Sequence, residues 1–129
     1  AHSERGVVRE SIDSILFDNP CYRFARISSE NKIDYTQVIA EAKSYLGRTY
    51  DLAYLPDNES IYCSELIYNA FLKEGIFNLE PMSFSDPQSG EILDTWTSYY
   101  EEMNLPVPEG ELGCNPNQMA NHPLVQFIQ

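Results

Sequence analysis

Past Lys73 the sequence has neither lysine nor arginine. All eight cationic residues lie between Arg5 and Lys73, while residues 74–129 hold nine Asp and Glu, so the net charge of −12 divides into −3 and −9. Binding nucleic acid or an anionic membrane needs clustered Lys and Arg to neutralise phosphates. Polyanionic partners are therefore excluded, and the C-terminal part is read as an acidic, solvated layer. Long apolar runs are also missing: none reaches the roughly 20 residues of a spanning helix, and Ala1 does not open a signal peptide. The compartment stays open, because a signal segment would precede residue 1. Cysteines number three, Cys21, Cys63 and Cys114, too far apart for a CxxC metal or redox motif and odd in count, which leaves at least one thiol unpaired. No metal or other cofactor is expected. Histidines are scarcer still, with only His2 and His122 to act as a base.

The chain of 129 residues with 43% apolar content suits one domain around one core. No repeat, low-complexity tract or linker divides it. The run GVVR at 6–9 reads as a strand end. Residues 10–17 (ESIDSILF) form an amphipathic helix with Ile12, Ile15 and Leu16 on one face, stopped by Asp18-Asn19-Pro20. Residues 21–27 (CYRFARI) alternate as a strand whose facing stays undecided, with Cys21, Phe24 or Tyr22, and Ile27 as inward candidates. Asp34 caps a helix to Leu46 closed by Gly47, with Val38, Ile39, Ala42, Tyr45 and Leu46 at helical spacing. A polar loop through Pro56-Asp57-Asn58-Glu59 delivers the chain to a helix over 63–74 stopped by Gly75, with Leu66, Ile67, Ala70 and Phe71 inward and Cys63 on the same stripe. A helix over 91–103 carries Ile92, Trp96, Tyr99 and Tyr100, Asn115-Pro116 opens a helical turn to Asn121, and 124–128 is a closing strand.

Cys63 has two readings. On an inward helical stripe a thiol is ordinarily packing, since free cysteine is among the most buried residue types. At a helix start, however, unpaired N–H groups and the positive end of the helix dipole favour a negatively charged sulfur, and the same N–H groups can stabilise a tetrahedral oxyanion. A cysteine nucleophile also needs a histidine oriented by a third polar group. His122, before Pro123, comes after Cys63 in the order of ordinary papain-like enzymes, or is simply a loop residue. His2 is a terminal residue, Cys21 a strand core residue and Cys114 a loop residue, while Glu65 and Ser64 serve the helix start.

Tyr62-Cys63-Ser64-Glu65-Leu66 resembles the nucleophile motif of the circularly permuted, NlpC-type papain-like cysteine hydrolases, in the YiiX-like branch of bacterial proteins. Residues 44–51 (SYLGRTYD) are similar to that branch's YLG-[KR]-x-YD segment, and residues 115–119 (NPNQM) to its (S/N)-P-x-x-(L/M/F) segment. The resemblance spans nearly the whole chain. It implies an α+β, papain-like fold, with the Cys63 helix packed on a small antiparallel sheet, and acyl transfer through a thioester on Cys63.

In that branch the catalytic histidine lies upstream in an S-H-x-G-[IM] strand, succeeded by a glutamate in an E-A pair. Arg5-Gly6-Val7-Val8 resembles the strand ending that comes after the E-A pair, which aligns Ala1 with the alanine and places histidine and glutamate before Ala1. Residues 1–129 are thus expected to be a single papain-like domain lacking those N-terminal strands. The resemblance implies a small peptide or lipid substrate: relatives on the peptidoglycan side cut cell-wall peptide amides, and those resembling lecithin retinol acyltransferase move lipid acyl groups. Tyr50, Tyr54 and Tyr62 flank the approach to Cys63 as candidate substrate contacts. The rival of another class is a papain-like binding module that has lost its base.

Overall fold

The computed structural model describes residues 1–18, 21–28, 30, 32–55 and 59–128. Asn19 and Pro20, expected to stop the first helix, and Pro56, Asp57 and Asn58 of the polar loop lie outside the described residues. The elements run in the order α1 (Ile12–Asp18), β1 (Phe24–Ile27), α2 (Tyr35–Ser44), α3 (Cys63–Ala70), a 3₁₀ turn (Leu72–Glu74), β2 (Glu80–Pro81), α4 (Asp94–Glu102), β3 (Leu112–Gly113), α5 (Pro116–Ala120) and β4 (Val125–Ile128). The class is α+β, as expected.

The expected small antiparallel sheet is two separate ribbons among these residues. β1 pairs with β4, Phe24 opposite Ile128 and Ile27 opposite Val125, and β2 pairs with β3, Glu80 opposite Gly113. Beyond Pro81 the two segments stay bonded through Met82, whose N donates to the Glu111 carbonyl and whose carbonyl accepts from Gly110 N, each at 2.8 Å. Cys21 is corrected from core to exposed: the β1–β4 register ends at Phe24, so Cys21 lies beyond the last paired position. Tyr22 and Phe24 are exposed as well, which leaves Ile27 as the buried residue of β1.

Asp34 caps α2 by accepting the Gln37 N–H at 3.1 Å. The chain leaves α2 two residues early, through Tyr45 and a turn at Gly47 with φ 85. That turn is held by the N-terminal segment: Val7 N donates to the Arg48 carbonyl and Gly47 N to the Val7 carbonyl, each at 2.9 Å. Gly6 is glycine for two reasons. Its φ is +67, and a Cβ there would stand 2.1 Å from the Arg48 oxygen. Val7 is thereby buried.

The apolar stripes are narrower than their periodicity predicts. α2 packs against α3 on one side only, so Val38 is buried while Ile39 and Leu46 are exposed. On α1, Ile12 and Ile15 are exposed. The helix expected over 63–74 divides at Phe71 into α3 and the 3₁₀ turn, which ends at Gly75 in the left-handed region (φ 63). On α3 the buried face starts at Ser64, not Cys63: Ser64 is 3% exposed with its hydroxyl donating to the Cys114 carbonyl at 3.0 Å, while Ile67 is exposed and Cys63 half-buried.

The helix expected over 91–103 begins later, because Ile92 bridges to Ser85. Tyr100 of α4 has no solvent exposure. α5 opens with a reciprocal cap, Gln118 N donating to Asn115 Oδ1 at 2.9 Å and Asn115 N to Gln118 Oε1 at 3.4 Å, with Pro116 in the first turn. The core joins these pieces: Ile27, Tyr62, Ile76, Phe77, Cys114 and Met119 form one buried cluster. Burial of each large apolar side chain there contributes on the order of 1.5–3 kcal/mol.

Candidate active site

The segment leading to Cys63 is cinched at its base. Ile61 N donates to the Thr49 carbonyl at 3.0 Å and Asp51 N to the Ile61 carbonyl at 3.3 Å. Above this closure Asp51, 3% exposed, turns both carboxylate oxygens onto the loop backbone, Oδ1 accepting from Ala53 N and Oδ2 from Leu55 N, each at 2.8 Å. From the other side the Tyr99 and Tyr100 hydroxyls donate to the Leu52 and Ala53 carbonyls at 2.7 and 2.9 Å. Between these anchors sits Tyr54, at φ 54 in the left-handed region. A non-glycine residue held there costs of order 1 kcal/mol and persists only where its surroundings determine it. The result is a tyrosine ring set edge-on to Tyr62, centroids 5.4 Å apart.

Tyr62 is the N-cap of α3 and its N–H donates to Glu65 Oε2 at 3.3 Å. Cys63 therefore occupies the first turn, where backbone N–H groups lack intrahelical acceptors. The Tyr50 hydroxyl donates to Cys63 Sγ at 3.8 Å. Burial, and after it the adjacent Cys63, pushes the Tyr50 phenol well above its ordinary range. Tyr50 is thus a neutral donor facing the sulfur throughout the neutral range.

The three thiols occupy three environments. Cys114 is buried, its N–H donating to the Tyr62 hydroxyl at 3.2 Å and its sulfur 3.8 Å from the same oxygen; burial first of all pushes its thiol up. Tyr62 is raised likewise, by burial and then by Cys114. Cys21 is exposed, and Cys63 alone is half-buried at a cleft.

That cleft, of about 730 Å³, is lined by Tyr50, Tyr54, Tyr62 and Cys63 and, from later in the chain, by Phe84 and Trp96. The structure therefore brings together all four residues singled out from the sequence. Phe84, Trp96 and Glu80 carried no sequence signal. Asn115 and Pro116, which also line the cleft, belong to the NPNQM segment that resembles the family's C-terminal motif. Neither histidine is there. The His122 ring packs 5.5 Å from Phe77, and its Nδ1 accepts from Leu124 N at 3.3 Å; it lines a smaller neighbouring cavity that shares Glu80 and Gln118 with the cleft but does not include Cys63. His2 bridges to Gly6, and its Nδ1 accepts from Glu4 N at 3.1 Å.

No curated protein matches the chain. Among solved structures, the crystal structure of metalloprotein YiiX from Escherichia coli O157:H7 is similar to it, with TM-score 0.63 and 19% identity. The match covers 83% of this chain and 60% of that one, so the chain spans less than two thirds of that structure. At this identity the likeness is one of fold, papain-like with helices and small antiparallel sheets. The metal implied by the name metalloprotein belongs to that protein: among the residues described here no three of His, Cys, Asp and Glu converge to hold one. The family of permuted papain-like amidase enzymes, YaeF/YiiX, matches residues 1–129. Matched along its whole length, the chain belongs to this C92 family of permuted papain-like amidases.

Proposed function

We propose that the chain supplies the nucleophile of a cysteine amidase, with Cys63 as the attacking group. The observation that carries this reading is the position of Cys63, in the first turn of α3, open to an aromatic-walled cleft and faced by the Tyr50 hydroxyl at 3.8 Å. The thiol gives its proton to a base and its sulfur attacks the amide carbonyl carbon. The carbonyl oxygen becomes an oxyanion, for which the Cys63 backbone N–H and the Tyr50 hydroxyl are the nearest donors. The C–N bond then breaks, the amine departs with the proton held by the base, and the acyl group remains as a thioester. Water attacks the thioester, its proton returns to sulfur through the base, and the acid is released.

The base is a histidine supplied by sequence outside residues 1–129, together with its polar partner. Support comes from the cleft, which neither His2 nor His122 lines, and from the resemblance to a branch with an upstream S-H-x-G strand. Cell-wall peptide amides are the first substrate class to try, and lipid acyl groups the second. Tyr54 and Tyr62 are the lining residues against which the acyl group packs.

The test is an acid-quenched reaction of the full-length protein with an N-acyl p-nitroanilide, then intact mass and peptide mapping. The expected product is an acyl group on Cys63, absent in Cys63→Ala with its far-UV circular dichroism unchanged. Turnover retained in Cys63→Ala would overturn the assignment. Binding with neither adduct nor turnover would favour the second reading, a papain-like binding module, for which the missing cleft histidine is the specific observation.

A further inference from the structure

Most of the cleft lining, residues 80–84, Trp96 and residues 113–118, comes from the part of the chain that lacks Lys and Arg. Among the described residues no Lys, Arg or His lines the cleft, and the one carboxylate that does is Glu80. That carboxylate has no ion pair or hydrogen bond among the described residues. Glu109 accepts from Phe84 N at 2.6 Å and from the Ser83 hydroxyl at 2.9 Å, and these bonds hold its carboxyl below the ordinary range, so it is anionic at neutral pH. The same lining presents Trp96 and Phe84, set edge to face with centroids 5.1 Å apart.

Aromatic faces carry the negative end of the ring quadrupole, and cations bind over them. Rings beside an unengaged carboxylate, in a stretch of lining to which the described residues bring no cation, disfavour an anionic ligand and attract an ammonium group with an apolar body. We infer that the cleft receives an amine-bearing substrate, its ammonium group between Glu80 and the Trp96 and Phe84 rings, and that Glu80 sets this preference. The inference rests on the cleft being the substrate site proposed above. It names the charge of the substrate, which that reading leaves open.

Trp96 is the only tryptophan of the chain, so its emission reports on this cleft. The experiment titrates the full-length protein with 4-phenylbutylamine, 4-phenylbutanol and 4-phenylbutanoate, three probes with one body and a cationic, neutral or anionic head. The amine is expected to bind about tenfold more tightly than the alcohol, with the carboxylate weakest and the amine's advantage shrinking as salt is added. Glu80→Gln is expected to weaken the amine about threefold and leave the alcohol unchanged. Equal binding of amine and alcohol, tightest binding of the carboxylate, or an amine-to-alcohol ratio untouched by Glu80→Gln would overturn the inference. Repeating the titration on Cys63→Ala separates the two proposals: a preserved preference for the amine, with no thioester found on the unaltered protein, upholds the ligand class while the nucleophile assignment falls.

Discussion

The hydroxyl of Tyr100, on a side chain with no solvent exposure, donates to the carbonyl oxygen of Ala53 at 2.9 Å. Forty-seven positions separate the two residues, and the bond fixes the peptide that precedes the left-handed Tyr54. Tyr100→Phe keeps the ring and strands that carbonyl. The expected loss is about 1–3 kcal/mol of stability in urea unfolding, with a raised KM and little change in kcat, since Tyr54 lines the cleft as a candidate substrate contact. A variant as stable as the parent would mean that water replaces the hydroxyl.

Gly6→Ala separates a contact from a backbone preference. Gly6 and Gly47 both have positive φ, but only at Gly6 does a Cβ meet backbone, at 2.1 Å from the Arg48 oxygen, and nothing lies within 4 Å at Gly47. Gly47→Ala should cost about 1 kcal/mol. Gly6→Ala should cost at least about 2 kcal/mol, because the Val7–Arg48 pairing must open as well. Equal losses in chemical denaturation would show that the N-terminal segment shifts freely.

Alkaline pH should unfold the protein through its tyrosines. Burial is the first cause that raises Tyr50, Tyr62, Tyr99 and Tyr100 from 10.0, with Tyr100 pushed up to about 12. Below about pH 10 these phenols are protonated in both the folded and the unfolded chain, and stability does not depend on them. Above it the unfolded chain releases protons that the folded chain retains, so stability falls as pH rises from 10 towards 12. Denaturation midpoints should decline over this window, and the tyrosinate absorbance of these residues should rise together with unfolding. Full ionisation before any loss of structure would contradict the burial of these four rings.

His122→Ala tests the order of the site. The imidazole accepts the Leu124 N–H and meets the Phe77 ring, so its loss should cost about 1 kcal/mol of stability. Thioester formation on the full-length protein should be unaffected. A large loss of turnover at unchanged stability would restore His122 as the base that comes after Cys63 in the chain.

Local signals made half of the site legible. The approach to Cys63, the first turn of α3 and the Asn115 cap are written within a few residues, and the structure has them where those residues place them. Trp96, Phe84 and Glu80 reach the cleft only through tertiary folding, and nothing nearby marks them. Ser64 shows why periodicity misjudged α3: one residue is a 100° step around a helix, and the step was decided by the Cys114 carbonyl fifty positions away. The two-residue strands β2 and β3 are too short for any alternation to show. On α1 and α2 the apolar spacing was read correctly as helical, but spacing cannot say whether a partner covers the face, and Ile12, Ile15 and Ile39 are exposed.

The residues that line the cleft come from both sides of Lys73 in the sequence, and this has a practical consequence for peptide mapping. A protease that cuts after Lys and Arg has no site from Glu74 to Gln129, so Glu80, Phe84, Trp96 and Cys114 are released together on one fragment that begins at Glu74. Cys63 lies between the cuts at Arg48 and Lys73, and Cys21 between those at Arg9 and Arg23. Each thiol thus falls on its own peptide, and the mass of one digest assigns an acyl group to Cys21, Cys63 or Cys114 without fragmentation.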